Sequence, residues 1–114
     1  MMETQVTSIE QSERLLALGI PAEKASMGWS VIAGERRLIM KVPGPYVVPA
    51  FTVVDLIDII GEPEGYAFYI TRWDAGEEYA VELAGYKPLF FQNKRLIDSA
   101  FQMVERLYEE GRIE

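Results

Sequence analysis

Carboxylates are the groups through which this chain could do chemistry, because it holds no histidine and no cysteine. Those two zeros exclude Ser-His-Asp and Cys-His catalysis, imidazole–metal chemistry, zinc ribbons, iron–sulfur ligation and disulfides. Acid–base work by Asp or Glu remains, with Tyr or Lys beside it. Asp55 and Asp58 lie about one helical turn apart, a spacing at which two carboxylates can divide acid and base roles. No nucleophile or oxyanion hole adjoins them in sequence, and Asp55 is placed to cap a helix. No catalytic residue is assigned.

Two other acidic runs could draw a cation: Asp74-Ala75-Gly76-Glu77-Glu78 and Glu62-Pro63-Glu64. A calcium loop needs Asp-x-[Asp/Asn]-x-[Asp/Asn]-Gly spacing to assemble enough oxygens, and neither run has it. A turn explains 74–77 better. There is no Gly-x-Gly-x-x-Gly and no Gly-x-x-x-x-Gly-Lys-[Ser/Thr] to cradle phosphate. Arg36-Arg37 and Lys94-Arg95 are isolated basic pairs, and the second sits unfavourably for the dipole at a helix start. Neither a metal nor a cofactor is expected.

Charge is distributed unevenly. Residues 55–82 hold eight acids (Asp55, Asp58, Glu62, Glu64, Asp74, Glu77, Glu78 and Glu82) against one base, Arg72, which accounts for the whole net charge of −7. The remaining ten acids and ten bases cancel. An acidic middle repels nucleic acid and anionic membrane, and it steers a basic partner. Its bland reading is a set of solvated turns and strand edges that keep the chain soluble. Tyr66, Tyr69, Trp73, Tyr79 and Tyr86 cluster in the same region. Sheets that stack RNA bases are usually basic, so packing explains most of these rings. Trp73, near a turn, is of the residue type enriched at interface hot spots. The candidate partner-binding residues are therefore Asp55, Asp58, Trp73, Asp74, Glu77 and Glu78.

The elements that must position them are legible in part. Thr7-x-x-Glu10 has capping-box spacing, Ile9, Leu15, Leu16 and Ser12 share a side, and Gly19 with Pro21 ends a first helix. Strands are predicted at 30–33 and 37–42 around a Gly34-Glu35 turn, with Gly34 in the first central position. Three prolines make 43–49 a stiff connector. Thr52 and Asp55 cap a second helix, with Phe51 and Leu56 as a hydrophobic staple. Val53, Leu56, Ile57 and Ile60 form its apolar face, Asp55 and Asp58 form a wet strip, and Gly61 and Pro63 stop it. A second hairpin spans 66–73 and 78–83 around the 74–77 turn. A loop covers 85–92, with 89–91 as an extended option. A last helix over 94–110 carries the stripe Ile97, Ala100, Phe101, Val104, Leu107 and Tyr108, closed by Gly111.

That order, α-β-β-α-β-β-α, predicts one α+β domain over residues 1–114. The predicted architecture has two layers, with a four-stranded antiparallel sheet and three helices on one face. At 114 residues the chain can bury a core without a metal or disulfide. The N-terminal residues lack a basic stretch followed by an apolar core, and no apolar run approaches membrane-spanning length, so a cytoplasmic location is expected.

Three segments carry a family likeness. Ser8-Ile9-Glu10-Gln11-Ser12, Leu15-Leu16-Ala17-Leu18-Gly19-Ile20-Pro21 and Ala25-Ser26-Met27 resemble the opening of small uncharacterised proteins of phage-like and integrated elements from gut anaerobic bacteria. Pro49-Ala50-Phe51-Thr52 resembles their middle. Leu96-Ile97-Asp98-Ser99-Ala100-Phe101-Gln102-Met103-Val104, with Leu107 and Gly111, resembles their closing helix. The likeness covers about half the chain and rests mostly on caps and core stripes. Ser26-Met27 stands where those proteins often have Asp-Met, and a Trp usual in the last helix is missing. The resemblance implies a mobile-element origin and no activity. The expected function is that of a non-enzymatic interaction or accessory factor that meets a basic protein through the acidic segment. The alternatives are a protein that self-associates into a homo-oligomer through Val54, Ile59 and Trp73, and a carboxylate enzyme.

Overall fold

The computed structural model describes residues 6–32, 34–40, 47–61 and 65–113. Expectations for Ala33, for residues 41–46 and for Glu62, Pro63 and Glu64 lie outside the described residues. The fold is α+β, but the single four-stranded sheet is replaced by two three-stranded antiparallel sheets. The order is α1 (Ile9–Ala17), β1 (Met27–Ile32), β2 (Glu35–Met40), β3 (Val47–Ala50), α2 (Val53–Ile60), β4 (Ala67–Trp73), β5 (Glu78–Ala84), β6 (Leu89–Asn93) and α3 (Leu96–Glu109). Single 3-10 turns lie at Ala22–Lys24 and Asp74–Gly76.

Each half gains a third strand. The first sheet has the order β2-β1-β3, and the second is a β4-β5-β6 meander. β3 occupies the end of the predicted stiff connector. Pro49 lies opposite Gly28 on an edge strand, where a missing N–H is tolerated. β6 takes up the extended option at 89–91 and continues to Asn93, pairing Leu89 with Leu83 and Asn93 with Tyr79. In the first hairpin Ile32 pairs with Glu35. Gly34 is therefore the second central turn residue, not the first, and its φ of +78° suits a residue without Cβ.

Helix starts follow local chemistry. α1 is capped one residue later than predicted: Gln11 N donates to Ser8 Oγ (3.0 Å), and Ser8 N donates to Gln11 Oε1 (2.9 Å). Thr7 is freed for a tertiary role. Its buried hydroxyl lies 2.7 Å from Ser12 Oγ and accepts from Phe51 N at 3.0 Å, while Thr7 N donates to Phe51 O at 2.9 Å. Trp29 Nε1 donates to Thr7 O at 2.9 Å. The start of α1 is thus tied to β1 and to the entry of α2. α2 has the predicted Thr52/Asp55 capping box, and Phe51 and Leu56 are fully buried.

α3 is the central packing element. Ile97, Ala100, Met103, Val104 and Leu107 are buried in one cluster with Val81 and Leu83 of β5, Leu56 and Ile60 of α2, and Leu15 of α1. Phe101 and Tyr108, predicted in this stripe, only pack against its rim, and Met103 takes a full place in it. A helix with neighbours on several sides needs a broader apolar face than one lying on a sheet alone. At its surface, Arg14 of α1 meets Glu105 (2.9 Å) and Glu109 (2.7 Å).

Replacing Thr7 by Val keeps the shape but leaves the buried Phe51 N–H without its side-chain acceptor. Urea unfolding should show a loss of about 1–3 kcal/mol with an unchanged denaturant slope.

Candidate functional site

Side chains alternate across the second sheet, and α3 covers one face of it. Val81 and Leu83 of β5 point into the core, with Phe68, Leu89 and Phe91 beside them. By the same alternation Tyr69, Thr71 and Trp73 of β4, Glu78, Ala80 and Glu82 of β5, and Phe90 and Gln92 of β6 share the opposite, outer face.

This outer face is unusually aromatic for an open surface. Tyr69, Trp73 and Phe90 are 50%, 48% and 46% exposed. The rings of Trp73 and Phe90 meet edge to face, with centroids 6.1 Å apart. They start on the two edge strands, so they bridge β5 above Ala80, which is fully buried beneath them. A larger residue at 80 would hold the rings apart. Trp73 Nε1 donates to Thr71 Oγ1 at 2.7 Å, which sets the indole against its own strand. Glu78 and Glu82 flank Ala80 on the central strand, and Gln92 Nε2 donates to Glu78 Oε1 at 3.2 Å. The strand positions of this face carry two carboxylates and no Lys or Arg. Exposed Asp74 and Glu77 stand on the turn at its end, where Glu77 N donates to Asp74 O.

The six candidate partner-binding residues therefore separate. Trp73, Asp74, Glu77 and Glu78 gather at one end of the outer face. Asp58 is exposed, but on α2, a helix that packs with α3 behind the sheet. Asp55 is buried and not part of a wet strip. Its carboxylate accepts from Ser26 N (2.8 Å), Ser26 Oγ (2.5 Å) and Thr52 N (2.9 Å). The cap has become a brace between α2 and the start of β1, because Ser26 approaches from a distant part of the chain. Val54 is exposed on α2 and Trp73 on the outer face, so those two do not share one patch.

The aromatic cluster also divides. Tyr79 faces inward beneath the Arg72 guanidinium, 5.9 Å from the ring centroid, and Tyr66 lies beneath that of Arg112 at 5.1 Å. Phe90 was not singled out in sequence, and Glu82 only as part of the acidic run. Leu89-Phe90-Phe91-Gln92-Asn93 has no apolar–polar alternation that would place Phe90 outward; its facing follows from the pairing of β6 with β5.

The basic pairs are engaged locally. Arg36 meets Glu10 at 3.4 Å beside a shallow cleft of about 160 Å³ lined by Ser8, Ile9 and Trp29. Arg37 meets Glu35 at 3.8 Å. Arg95 grips Asp98 through Nε (3.0 Å) and Nη2 (2.9 Å), which offsets its unfavourable place at the start of α3. Asp98 is held below the usual carboxylate range, first by the hydrogen bond from Arg95, against the upward push of desolvation, and further by Gln11. Among the described residues no cluster of three or more acids could hold a metal, and no helix is long and apolar enough to cross a membrane. No protein-family model, curated protein or solved structure matches the chain.

Asp55→Ala should destabilise by about 2–3 kcal/mol in urea unfolding, whereas Asp58→Ala should stay within about 0.5 kcal/mol. Asp98 contributes stability above the ordinary carboxylate value of 3.8, and that contribution is lost as pH falls through its lower folded value. Asp98→Asn should therefore lose less stability than the parent chain between about pH 5 and about pH 2.

Proposed function

We propose that this protein is a non-enzymatic binding factor that takes a basic protein segment on the outer face of its second sheet. The carrying observation is the pairing of three half-exposed rings with Glu78 and Glu82 on a face whose strand positions hold no base. Buried aromatic area supplies most binding energy at protein interfaces, and carboxylates beside it select for cationic partners. An arginine suits both features. Its guanidinium can lie over Trp73 or Tyr69 and hydrogen-bond a carboxylate of the central strand, a combination worth more as water is excluded. Asp74 and Glu77 at the rim extend the field and raise the encounter rate. Asp55 has no part in this reading, and Asp58 adds only distant charge. An accessory role of this kind also fits the mobile-element origin implied by the family likeness.

The test is calorimetric titration with an arginine-rich peptide, its lysine counterpart and a glutamate-rich control. Binding should favour arginine and should weaken at least tenfold in Trp73→Ala and in Glu78→Gln/Glu82→Gln. It should also fall with added salt and be unchanged in Asp58→Asn. Absence of arginine-peptide binding, or binding indifferent to Trp73 and Glu82, overturns the reading.

A further inference from the structure

The edge of the second sheet has a use separate from its face. β4 is an edge strand of seven residues in unbroken register with β5, from Ala67 opposite Ala84 to Trp73 opposite Glu78. Natural edges are blunted by proline, bulges, charged side chains or brevity; β4 has no proline, glycine or lysine, and its one charge, Arg72, is folded over Tyr79 of its own chain. All of its residues but Phe68 are exposed.

We infer that β4 pairs with the β4 of a second copy of this chain, antiparallel about a two-fold axis at Ile70, joining two sheets into one of six strands. Three observations favour a second copy as the occupant. First, the register that pairs all seven residues places Ile70, 40% exposed on the helix-side face, against its own symmetry mate. Second, the remaining pairs in that register match. Tyr69 meets Thr71, an aromatic against a β-branched residue. Phe68 pairs with Arg72, whose guanidinium stays over Tyr79 of its own chain. Trp73, the largest side chain of the strand, meets Ala67, the smallest. Third, charge permits it: Arg72 is the only charged residue of β4 and lies away from its own symmetry mate, while the acids of 55–82 fall outside the strand. A chain of net charge −7 would repel its copy at most other surfaces. The outer faces of the two copies then lie side by side, with Tyr69 and Trp73 of each at the seam.

The chain has no cysteine, so a single engineered thiol reports the register directly. Paired antiparallel residues stand about 4.5–5.5 Å apart at Cα, within disulfide reach. Ile70→Cys should thus give a covalent dimer on mild oxidation. Ala67→Cys should not, because six residues of strand, about 20 Å, separate it from its own mate. By sedimentation, the native chain should show a concentration-dependent species of twice 13.0 kDa that persists in high salt. Ile70→Lys, with an unchanged circular dichroism spectrum, should weaken that association at least tenfold. A native chain that stays monomeric at all concentrations overturns the inference, as does cross-linking at 67 equal to that at 70. If Ile70→Lys fails to fold, the cysteine pair and the native sedimentation decide the matter.

Discussion

Everything in this molecule depends on how α3 uses its apolar stripe. Ile97, Ala100, Met103, Val104 and Leu107 must be taken out of water, and the inner face of the second sheet, α2 and α1 together do it. The inner face of the β4-β5-β6 meander is apolar, and α3 takes it out of water as that face does for α3. The three helices all contribute to that one core, on the α3 side of the second sheet. The outer face is left to be stabilised by its own side chains, and the Trp73–Phe90 contact over Ala80 does this. The open aromatic face is thus a consequence of where the core lies.

Polar ties hold the first sheet to that core. Thr7, Ser12 and Phe51 form one buried knot, and Trp29 joins it through the Thr7 carbonyl. Asp55 forms a second, fastening Ser26 to the first turn of α2. Such groups cost free energy when buried without partners, and each of these has them. Both knots lie at the entry to α2. They set how β1 and β3 approach that helix, and the apolar core by itself would leave that angle loosely specified.

The arginines are engaged by neighbouring groups. Arg14, Arg36, Arg37 and Arg95 each meet a carboxylate within 4 Å, and Arg72 and Arg112 lie over tyrosine rings. Exposed pairs of this kind contribute little to stability. Their effect is to keep bases occupied elsewhere, while Glu78 and Glu82 on the open face meet no cation within their own strands.

Much of the local structure was legible from residue order. The Thr52/Asp55 cap, the Phe51–Leu56 staple, the 74–77 turn and the span of β4 and β5 follow from rules that act over a few residues, and all four are present. The acidic excess of 55–82 was legible for the same reason. What needed the folded chain is whatever joins distant segments. Ser8 and Thr7 are equally good caps on paper, and the buried site beside Phe51 decides between them. Asp55 reads as half of a wet strip until Ser26, twenty-nine residues earlier, closes over it. β3 and β6 are short and weakly patterned, and each becomes a strand only because a neighbour offers its edge. The candidate site follows the same division. Trp73 and Glu78 were visible as residue types near a turn. Their union with Tyr69, Glu82 and Phe90 on one open face was decided by strand register and by the side of the sheet that α3 covers, neither of which any local pattern encodes.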